Sequence, residues 1–302
     1  MSDLIIETTG LTKRFKNLTA VDSLNLQVPK GALYGFLGPN GAGKSTTIRL
    51  LLGLMKPTKG KVFIFKKELG EERLDILRKV GSLVESPSYY EQLTAYENLE
   101  ITRKILQLDK KEIDKALEIV KLEKWKNTRV KNFSLGMKQR LGLAQALMGD
   151  RELLILDEPT NGLDPAGVKE IRNLIKSLPR LTGATVLLSS HILSEIELIA
   201  DYVGIINKGK LVFQGSLEEL KKKSTREICI EVHPLSEAEA FLKRQGYQVE
   251  NRNGMLYLSK RKTAAAEVNK TLVLEGFQVS HLAENEKTLE EIFLELTGGT
   301  LQ

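Results

Sequence analysis

The sequence predicts an α/β protein in which a largely parallel sheet domain carries an inserted helical block and is followed by a small α+β domain. Three observations support this fold class. Short apolar runs alternate with amphipathic helical segments up to about residue 220, only helical periodicity occurs between Leu93 and Met148, and the order of elements changes after the basic stretch 221–226. A length of 302 residues is also sufficient for two domains.

The first domain is predicted from apolar and β-branched runs that are each short enough for a strand. Three helices are predicted where apolar residues recur every three or four positions, at Tyr96–Leu108, Lys111–Leu122 and Leu135–Leu147. We therefore predict a first domain at 1–223 with a helical subdomain at about 93–148. The predicted strands are Val21–Val28, Ala32–Leu37, Lys61–Phe65, Gly81–Val84, Leu153–Leu156, Thr185–Ser189 and Val203–Ile206.

The second predicted domain, 224–302, has the element order βαββαβ followed by one further helix. Asn253-Gly254 lies between two alternating runs and is a strong hairpin signal. This order is typical of the ferredoxin-like arrangement. The predicted elements are strand Ile228–Val232, helix Glu237–Gln245, strand Tyr247–Glu250, strand Met255–Ser259, helix Ala264–Leu274, strand Phe277–His281 and helix Thr288–Leu296.

Composition argues against several classes of function. No stretch approaches the roughly 18 apolar residues that a membrane span requires, and Met1–Leu4 lacks a basic region followed by an apolar one. We therefore expect a cytosolic protein that reaches a membrane only through a partner. The single cysteine, Cys229, cannot form an internal disulfide, and the three histidines have no metal-ligand spacing, so redox and zinc chemistry are not expected.

Charge is unevenly distributed along the chain. Nine of the 45 Lys+Arg and twelve of the 39 Asp+Glu follow residue 223, a net charge of 9 − 12 = −3, so residues 1–223 carry 36 − 27 = +9. A basic first domain suits phosphate-rich ligands or the anionic inner face of a membrane. A lysine-rich solvated surface gives the same balance, and charge alone leaves both interpretations open.

A phosphate-binding loop is indicated by the pattern Gly, four residues, Gly-Lys-Ser, which the chain contains as Gly38-Pro39-Asn40-Gly41-Ala42-Gly43-Lys44-Ser45-Thr46. An apolar strand precedes this loop and Thr47–Leu54 continues it as a helix, which is the context that the pattern needs. The glycines let backbone N–H groups surround phosphates at the positive end of the helix. We expect Lys44 to meet the β- and γ-phosphates of ATP and Ser45 to bind Mg²⁺.

A buried strand ending in two acids, Leu153-Leu154-Ile155-Leu156-Asp157-Glu158, supplies the second element of the site. An apolar strand that ends in acids is more often structural, but the preceding phosphate loop favours a catalytic interpretation. Asp157 would hold Mg²⁺ through water, and Glu158 would orient or deprotonate the attacking water.

Further motifs resemble those of ABC transporter nucleotide-binding subunits over roughly residues 4–220. Phe133-Ser134-Leu135-Gly136-Met137-Lys138-Gln139-Arg140 is similar to the signature of that family, Asn161-Gly162-Leu163-Asp164-Pro165 to its D-loop, and His191 to its switch histidine. The resemblance implies an ABC-type phosphate-loop NTPase fold with an inserted helical subdomain.

The family mechanism implies a homodimer that sandwiches ATP. Two subunits pair head to tail, so that the signature residues Ser134 and Gly136 of one copy complete the ATP site of the other, with Asp164 beside them. Ser134 opens a helix whose positive N-terminus faces the γ-phosphate. His191 would contact the γ-phosphate and align Glu158, although a lone histidine after a strand is more often structural.

Adenine stacking on Phe15 is also implied by the resemblance, although a Phe near a strand is more often part of a core. Leu135 and Met137 replace the commoner signature glycine and glutamine, and Glu85 stands where most members carry a glutamine that bridges Mg²⁺ and the membrane partner. We expect Glu85 to occupy this metal-and-coupling position; the alternative is a solvated loop residue. Glu85, the segment 89–99 and the C-terminal domain are similar to subunits of bacitracin-resistance, lantibiotic-immunity and other ABC-2-type exporters.

The leading hypothesis is therefore a Mg²⁺-dependent ATPase that drives a separate membrane permease, docked near Glu85 and the helical block on the inner face of the membrane. An alternative is a soluble ABC-type switch that acts on ribosomes or DNA without a permease. Ribosome-acting members usually join two cassettes and DNA-maintenance members carry a long coiled coil, and this chain has neither feature. A phosphate-loop kinase has no use for 133–140, and no nucleic-acid partner is expected.

Overall fold

The computed structural model describes residues 3–85, 88–222, 226–259, 264–286 and 288–298. The chain divides into two compact units, Met1–Leu217 and Glu218–Gln302. The domain boundary predicted between residues 223 and 224 falls in the segment 223–225, which lies outside the described residues.

The central sheet of the first unit has six strands in the order β11-β10-β4-β9-β8-β7. It is parallel except for β11, which pairs antiparallel with β10. Every residue of β4, β8 and β9 is buried, because these interior strands are covered on both faces. The strands are β4 (Leu33–Leu37), β7 (Val80–Leu83), β8 (Leu153–Asp157), β9 (Thr185–Ser190), β10 (Tyr202–Asn207) and β11 (Lys210–Ser216).

A second, antiparallel sheet in the first unit contains β1 (Leu4–Phe15), β2 (Leu18–Leu24), β3 (Gln27–Pro29), β5 (Lys59–Ile64) and β6 (Lys67–Glu68). The single strand predicted at Val21–Val28 is wrong, since the structure has two short strands there. Both pair with β1, which the sequence pattern did not predict. The sequence of β1 contains polar residues, so a search for apolar runs misses this strand. One of them, Thr8, is buried with partners: its hydroxyl donates to the Leu24 carbonyl and accepts from the Leu26 N–H, both at 2.8 Å.

The segment 88–148, which the structure describes throughout, contains helices, turns and one isolated β-bridge. Its helices α3, α4 and α5 pack against one another as the inserted helical block. The predicted helix Lys111–Leu122 is too long, because α4 ends at Ile119. The helices of the first unit are α1 (Lys44–Leu51), α2 (Arg73–Arg78), α3 (Ala95–Leu106), α4 (Lys111–Ile119), α5 (Leu135–Leu147), α6 (Pro165–Thr182) and α7 (Leu193–Glu197), with α8 (Leu217–Lys222) following β11.

After α8, the second unit has the predicted order βαββαβ plus one helix. Its sheet is antiparallel with the order β13-β14-β12-β15, so β14 lies between the two strands that the first helix connects, as in a split βαβ arrangement. The last strand continues to Glu286, beyond its predicted end at His281. The elements are β12 (Arg226–His233), α9 (Leu235–Arg244), β13 (Val249–Arg252), β14 (Met255–Ser259), α10 (Ala265–Leu274), β15 (Gln278–Glu286) and α11 (Leu289–Thr297).

Candidate ATP site

The phosphate loop follows the buried strand β4 and leads directly into α1. A Cβ at Gly38 would lie 2.3 Å from the Ile206 carbonyl oxygen, and a Cβ at Gly43 would lie 2.4 Å from that of Ala20. Gly43 also has φ +110, which side-chain-bearing residues rarely adopt. Only glycine therefore fits these two positions, and the loop can close around an anion at the helix N-terminus.

Lys44 is a buried cation whose side-chain amine is held by the loop itself. Its Nζ donates to the carbonyl oxygens of Gly38 at 2.8 Å and Pro39 at 3.3 Å, and lies 3.2 Å from Glu158 Oε1. Lys44 is only 5% exposed, so a charge here depends on these partners. The amine is thus fixed at the mouth of the loop rather than extended into solvent.

The carboxyl ends of β4, β9 and β8 are neighbours, which brings three motifs together. Asp157 and Ser189 are paired in the sheet register, and the Ser189 hydroxyl donates to Asp157 Oδ1 at 2.6 Å. The same hydroxyl oxygen accepts the Glu158 N–H at 2.9 Å. Ser189 therefore fixes both acids, although the sequence motif gave it no role.

Glu158 lies between a cation and the predicted switch histidine. Besides its contact with Lys44, its Oε2 is 2.9 Å from His191 Nδ1. Its backbone has φ +46, a left-handed conformation that is uncommon for residues other than glycine and concentrates at functional sites. The carboxylate is consequently held from both sides at the entrance of the phosphate loop.

A cavity of about 490 Å³ opens beside the loop. Phe15, 41% exposed, forms part of its wall, with Lys13 Nζ 5.2 Å from the ring centroid. Asn40, Gly41, Gly43, Lys44, Ser45 and Thr46 line the same cavity, whereas Ala42 packs its methyl group into the core.

An adjoining cavity of about 340 Å³ is lined by Ser45, Glu85, Asp157 and Glu158 together with Gln139 and Asn161. A hydroxyl and several carboxylates are hard oxygen ligands of the kind that Mg²⁺ prefers. Among the described residues, no three His, Cys, Asp or Glu side chains form a metal cluster of their own. The donor set therefore fits Mg²⁺ that shares substrate phosphates rather than an all-protein metal cage.

Glu85 belongs to this cavity but forms an ion pair with Arg49 on α1. Arg49 is one helical turn beyond Ser45, so both side chains lie on one face of α1. Glu85 also has φ +61. Glu85, the predicted metal-and-coupling residue, is thus paired with the positive charge of Arg49, a contact that the sequence pattern did not reveal.

The signature residues lie in a different cavity, of about 710 Å³, which we term the signature cleft. Ser134 caps α5 by accepting the Met137 N–H at 3.3 Å, and Asp164 caps α6 by accepting the Gly167 N–H at 3.1 Å. Gly136 lines the cleft with them, as does Trp125. The chain therefore presents two separate groups of predicted ATP contacts, one around Lys44 and one around Ser134.

Sequence reasoning missed Arg49, Gln139, Asn161 and Ser189 as residues of the site. Gln139 lies inside the signature-like motif and Asn161 inside the D-loop-like motif, and Ser189 lies two residues before His191, so proximity to a motif was the available signal. The contacts of Arg49, Gln139 and Ser189 run between distant parts of the chain, and no spacing pattern encodes them. Membrane-spanning helices are a separate question: among the residues that the structure describes, none of the helices combines the length and the hydropathy that a bilayer span requires.

Known proteins resemble the chain along almost its full length. Residues 21–161 match the family model for ABC transporters, and residues 215–297 match that for the C-terminal domain of DrrA1-3-like ATP-binding proteins. The bacitracin transport ATP-binding protein BcrA of Bacillus licheniformis is 46% identical over 300 residues, 98% of either protein. The lantibiotic transport ATP-binding protein SrtF of Streptococcus pyogenes is 42% identical over 222 residues, 72% of this chain and 95% of SrtF. A solved dimeric structure of a bacterial ABC transporter cassette has a TM-score of 0.63 and 26% identity, covering 70% of this chain and 98% of that cassette.

Proposed function

The chain belongs to the ABC transporter ATP-binding proteins, and we propose that it works as a Mg²⁺-dependent homodimer that powers a separate permease exporting an antimicrobial peptide. The resemblance predicted from the motifs is confirmed, and so are the ABC-type fold and an ATPase activity coupled to transport. The site residues, the metal, the dimer and the exported compound belong to the proposal.

One observation carries the hydrolytic mechanism: Glu158 lies between Lys44 and His191 at the mouth of the phosphate loop. In the proposed reaction the loop N–H groups and Lys44 bind the β- and γ-phosphates, because their charge and dipoles complement the anion. Glu158 orients the attacking water and accepts its proton. His191 Nδ1–H donates to Glu158 and keeps the carboxylate turned toward the phosphate.

Magnesium would be held by the Ser45 hydroxyl and by Asp157 through water, with Glu85 as a further oxygen ligand. Bound there, Mg²⁺ would neutralise developing phosphate charge. Phe15 supplies an exposed aromatic face for adenine, a contact worth about 1–3 kcal/mol by analogy with base stacking.

The homodimer is supported by the separation of the two groups of ATP contacts. The signature cleft contains Ser134, Gly136 and Asp164, and a second copy could bring them over the nucleotide that Lys44 binds. The positive end of α5 at Ser134 suits a γ-phosphate from the partner. The similar cassette that was solved as a dimer is consistent with this arrangement.

The exported class is suggested by relatives named for bacitracin transport and lantibiotic transport. Both compounds are peptide antibiotics, so we propose efflux of such a peptide through a permease near Glu85 and the helical block. The chain would then be cytoplasmic and peripheral on the inner face of the membrane.

To test this function, the host gene is deleted and the strain is challenged with bacitracin and with a lantibiotic. We expect the deletion to increase sensitivity to at least one peptide, and a tagged wild-type copy to restore resistance and co-purify with a hydrophobic membrane protein. A Lys44→Met copy should join the same complex without restoring resistance. Unchanged sensitivity, together with recovery of the tagged chain on ribosomes, would favour the soluble-switch alternative.

A Glu85→Ala variant tests the metal-and-coupling role. We expect the Mg²⁺ concentration for half-maximal binding of a fluorescent ATP analogue to rise roughly tenfold, because an oxygen ligand is lost and Arg49 is left without its partner. Permease-stimulated ATPase should fall in parallel. Glu72→Ala, which removes an exposed carboxylate paired with Lys67, is the control. If Glu85→Ala matches this control in both measurements, Glu85 has no such role.

A further inference from the structure

Helix α5 borders both the signature cleft and the carboxylate cavity. Ser134 and Gly136 at its N-terminus line the signature cleft, and Gln139 within its second turn lines the cavity that contains Asp157 and Glu158. A rigid helix moves as one body, so displacement of its first turn also displaces Gln139.

Gln139 is 8% exposed, and its Nε2 donates to the Pro159 carbonyl oxygen at 2.7 Å. Pro159 follows Glu158, whose left-handed backbone requires support from its surroundings. That support comes from the Ser189 hydroxyl, which accepts the Glu158 N–H, and from the Gln139 amide at the next residue. Gln139 therefore ties α5 to the backbone immediately after Glu158.

The same part of α5 is tied to the chain that follows Glu85. The Tyr89 hydroxyl donates to the Lys138 carbonyl oxygen at 2.5 Å, and burial raises the pKa of this hydroxyl. Lys138 Nζ also pairs with Glu91 at 2.7 Å. The first two turns of α5 thus have polar contacts with the segments after both Glu85 and Glu158.

We infer that Gln139 is a positioning residue for ATP hydrolysis. When Ser134 binds the partner's nucleotide, α5 takes up a defined position, and the hydrogen bond from Gln139 to Pro159 passes this position on to Glu158. The inference rests on the proposed sandwich dimer and adds a route between the two half-sites. A nucleotide that binds in the signature cleft of one copy fixes the position of the Glu158 carboxylate in that same copy. Each ATP site can therefore hydrolyse its nucleotide only when the other site is occupied.

Gln139→Met in the full chain removes the amide and keeps the length of the side chain. Gln145→Met is the matched control, because Gln145 lies on the same helix and its amide donates to the Thr102 hydroxyl at 3.5 Å. We expect kcat to fall about tenfold in Gln139→Met, the effect of losing one well-aligned hydrogen bond. Affinity for a fluorescent ATP analogue and the melting temperature should match those of Gln145→Met, whose kcat should remain that of the wild type.

Gln139→Asn, which keeps the amide but is too short to reach Pro159, should reproduce the loss of kcat. Wild-type kcat in a folded variant of either kind would overturn the inference. So would a parallel fall in kcat, ATP affinity and melting temperature, or failure of both variants to fold, since each outcome indicates a structural role. Adding Gln139→Met to Glu158→Gln should leave ATP-driven dimerisation intact; if Glu158→Gln alone stays monomeric, the proposed dimer is wrong instead.

Discussion

Replacing Lys44 with Met is expected to remove ATP turnover, with kcat/KM reduced roughly 10²–10³-fold, as for loss of one preorganised donor to a developing charge. Met keeps the length of the side chain and removes the ammonium group that sits between the loop carbonyls and Glu158. Binding of a fluorescent ATP analogue should weaken as well, because a charge-assisted contact to phosphate is lost. The measurements are phosphate release and equilibrium binding with Mg²⁺ present.

Lys208→Met is the matched control. Lys208 lines the same cavity but is exposed, and an exposed charge contributes at most about 1 kcal/mol. Its replacement should therefore change turnover by no more than about fivefold. Full turnover in Lys44→Met would contradict the assignment of the phosphate loop, and with it every role that we assign around Glu158.

The parts of the site that were predictable from sequence are those set by local geometry. Gly38 and Gly43 approach neighbouring carbonyls so closely that only glycine fits, and Lys44 and Ser45 begin the helix that follows. A motif of this kind constrains each residue through the backbone next to it. The fixed spacing therefore identifies the loop without knowledge of the rest of the fold.

Contacts between distant segments were not predictable, because they depend on side-chain pairing that leaves no spacing pattern. Arg49 pairs with Glu85 across 36 positions of sequence, and Gln139 reaches Pro159 across 20. Strand β1 was missed for a related reason, since Thr8 and Thr12 are buried by hydrogen bonding rather than by apolar character. Polar residues that are buried with partners look like surface residues in the sequence.

Replacing Glu158 with Gln is expected to slow hydrolysis roughly 10²–10⁴-fold while preserving ATP binding, because a general base is lost and the side chain keeps its shape. The amide oxygen can still accept from Lys44 or His191, so the geometry around the phosphate loop should persist. A site that binds ATP without hydrolysing it should hold two copies together. We therefore expect a stable dimer with Mg-ATP by light scattering, and a monomer with Mg-ADP.

Trp125 provides a second readout of the same event. It is the chain's only tryptophan, it is 50% exposed, and it lines the signature cleft. Closure of the sandwich should bury it, so Mg-ATP should shift the fluorescence of Glu158→Gln to shorter wavelength. The double variant Lys44→Met with Glu158→Gln should need a higher concentration of Mg-ATP for both the shift and the dimer, since its ATP binding is weakened.

A dimer that forms in the double variant as readily as in Glu158→Gln would mean that association does not depend on nucleotide. A monomer in Glu158→Gln that binds ATP tightly would mean that the signature cleft does not engage a second copy. In the first case Lys44 and Ser134 could still act on one nucleotide, but binding would not drive closure. In the second case Ser134 would have no phosphate to cap, and the transport cycle would need another source of movement. Nucleotide-dependent pairing is thus the step that links the geometry around Glu158 to work on a permease.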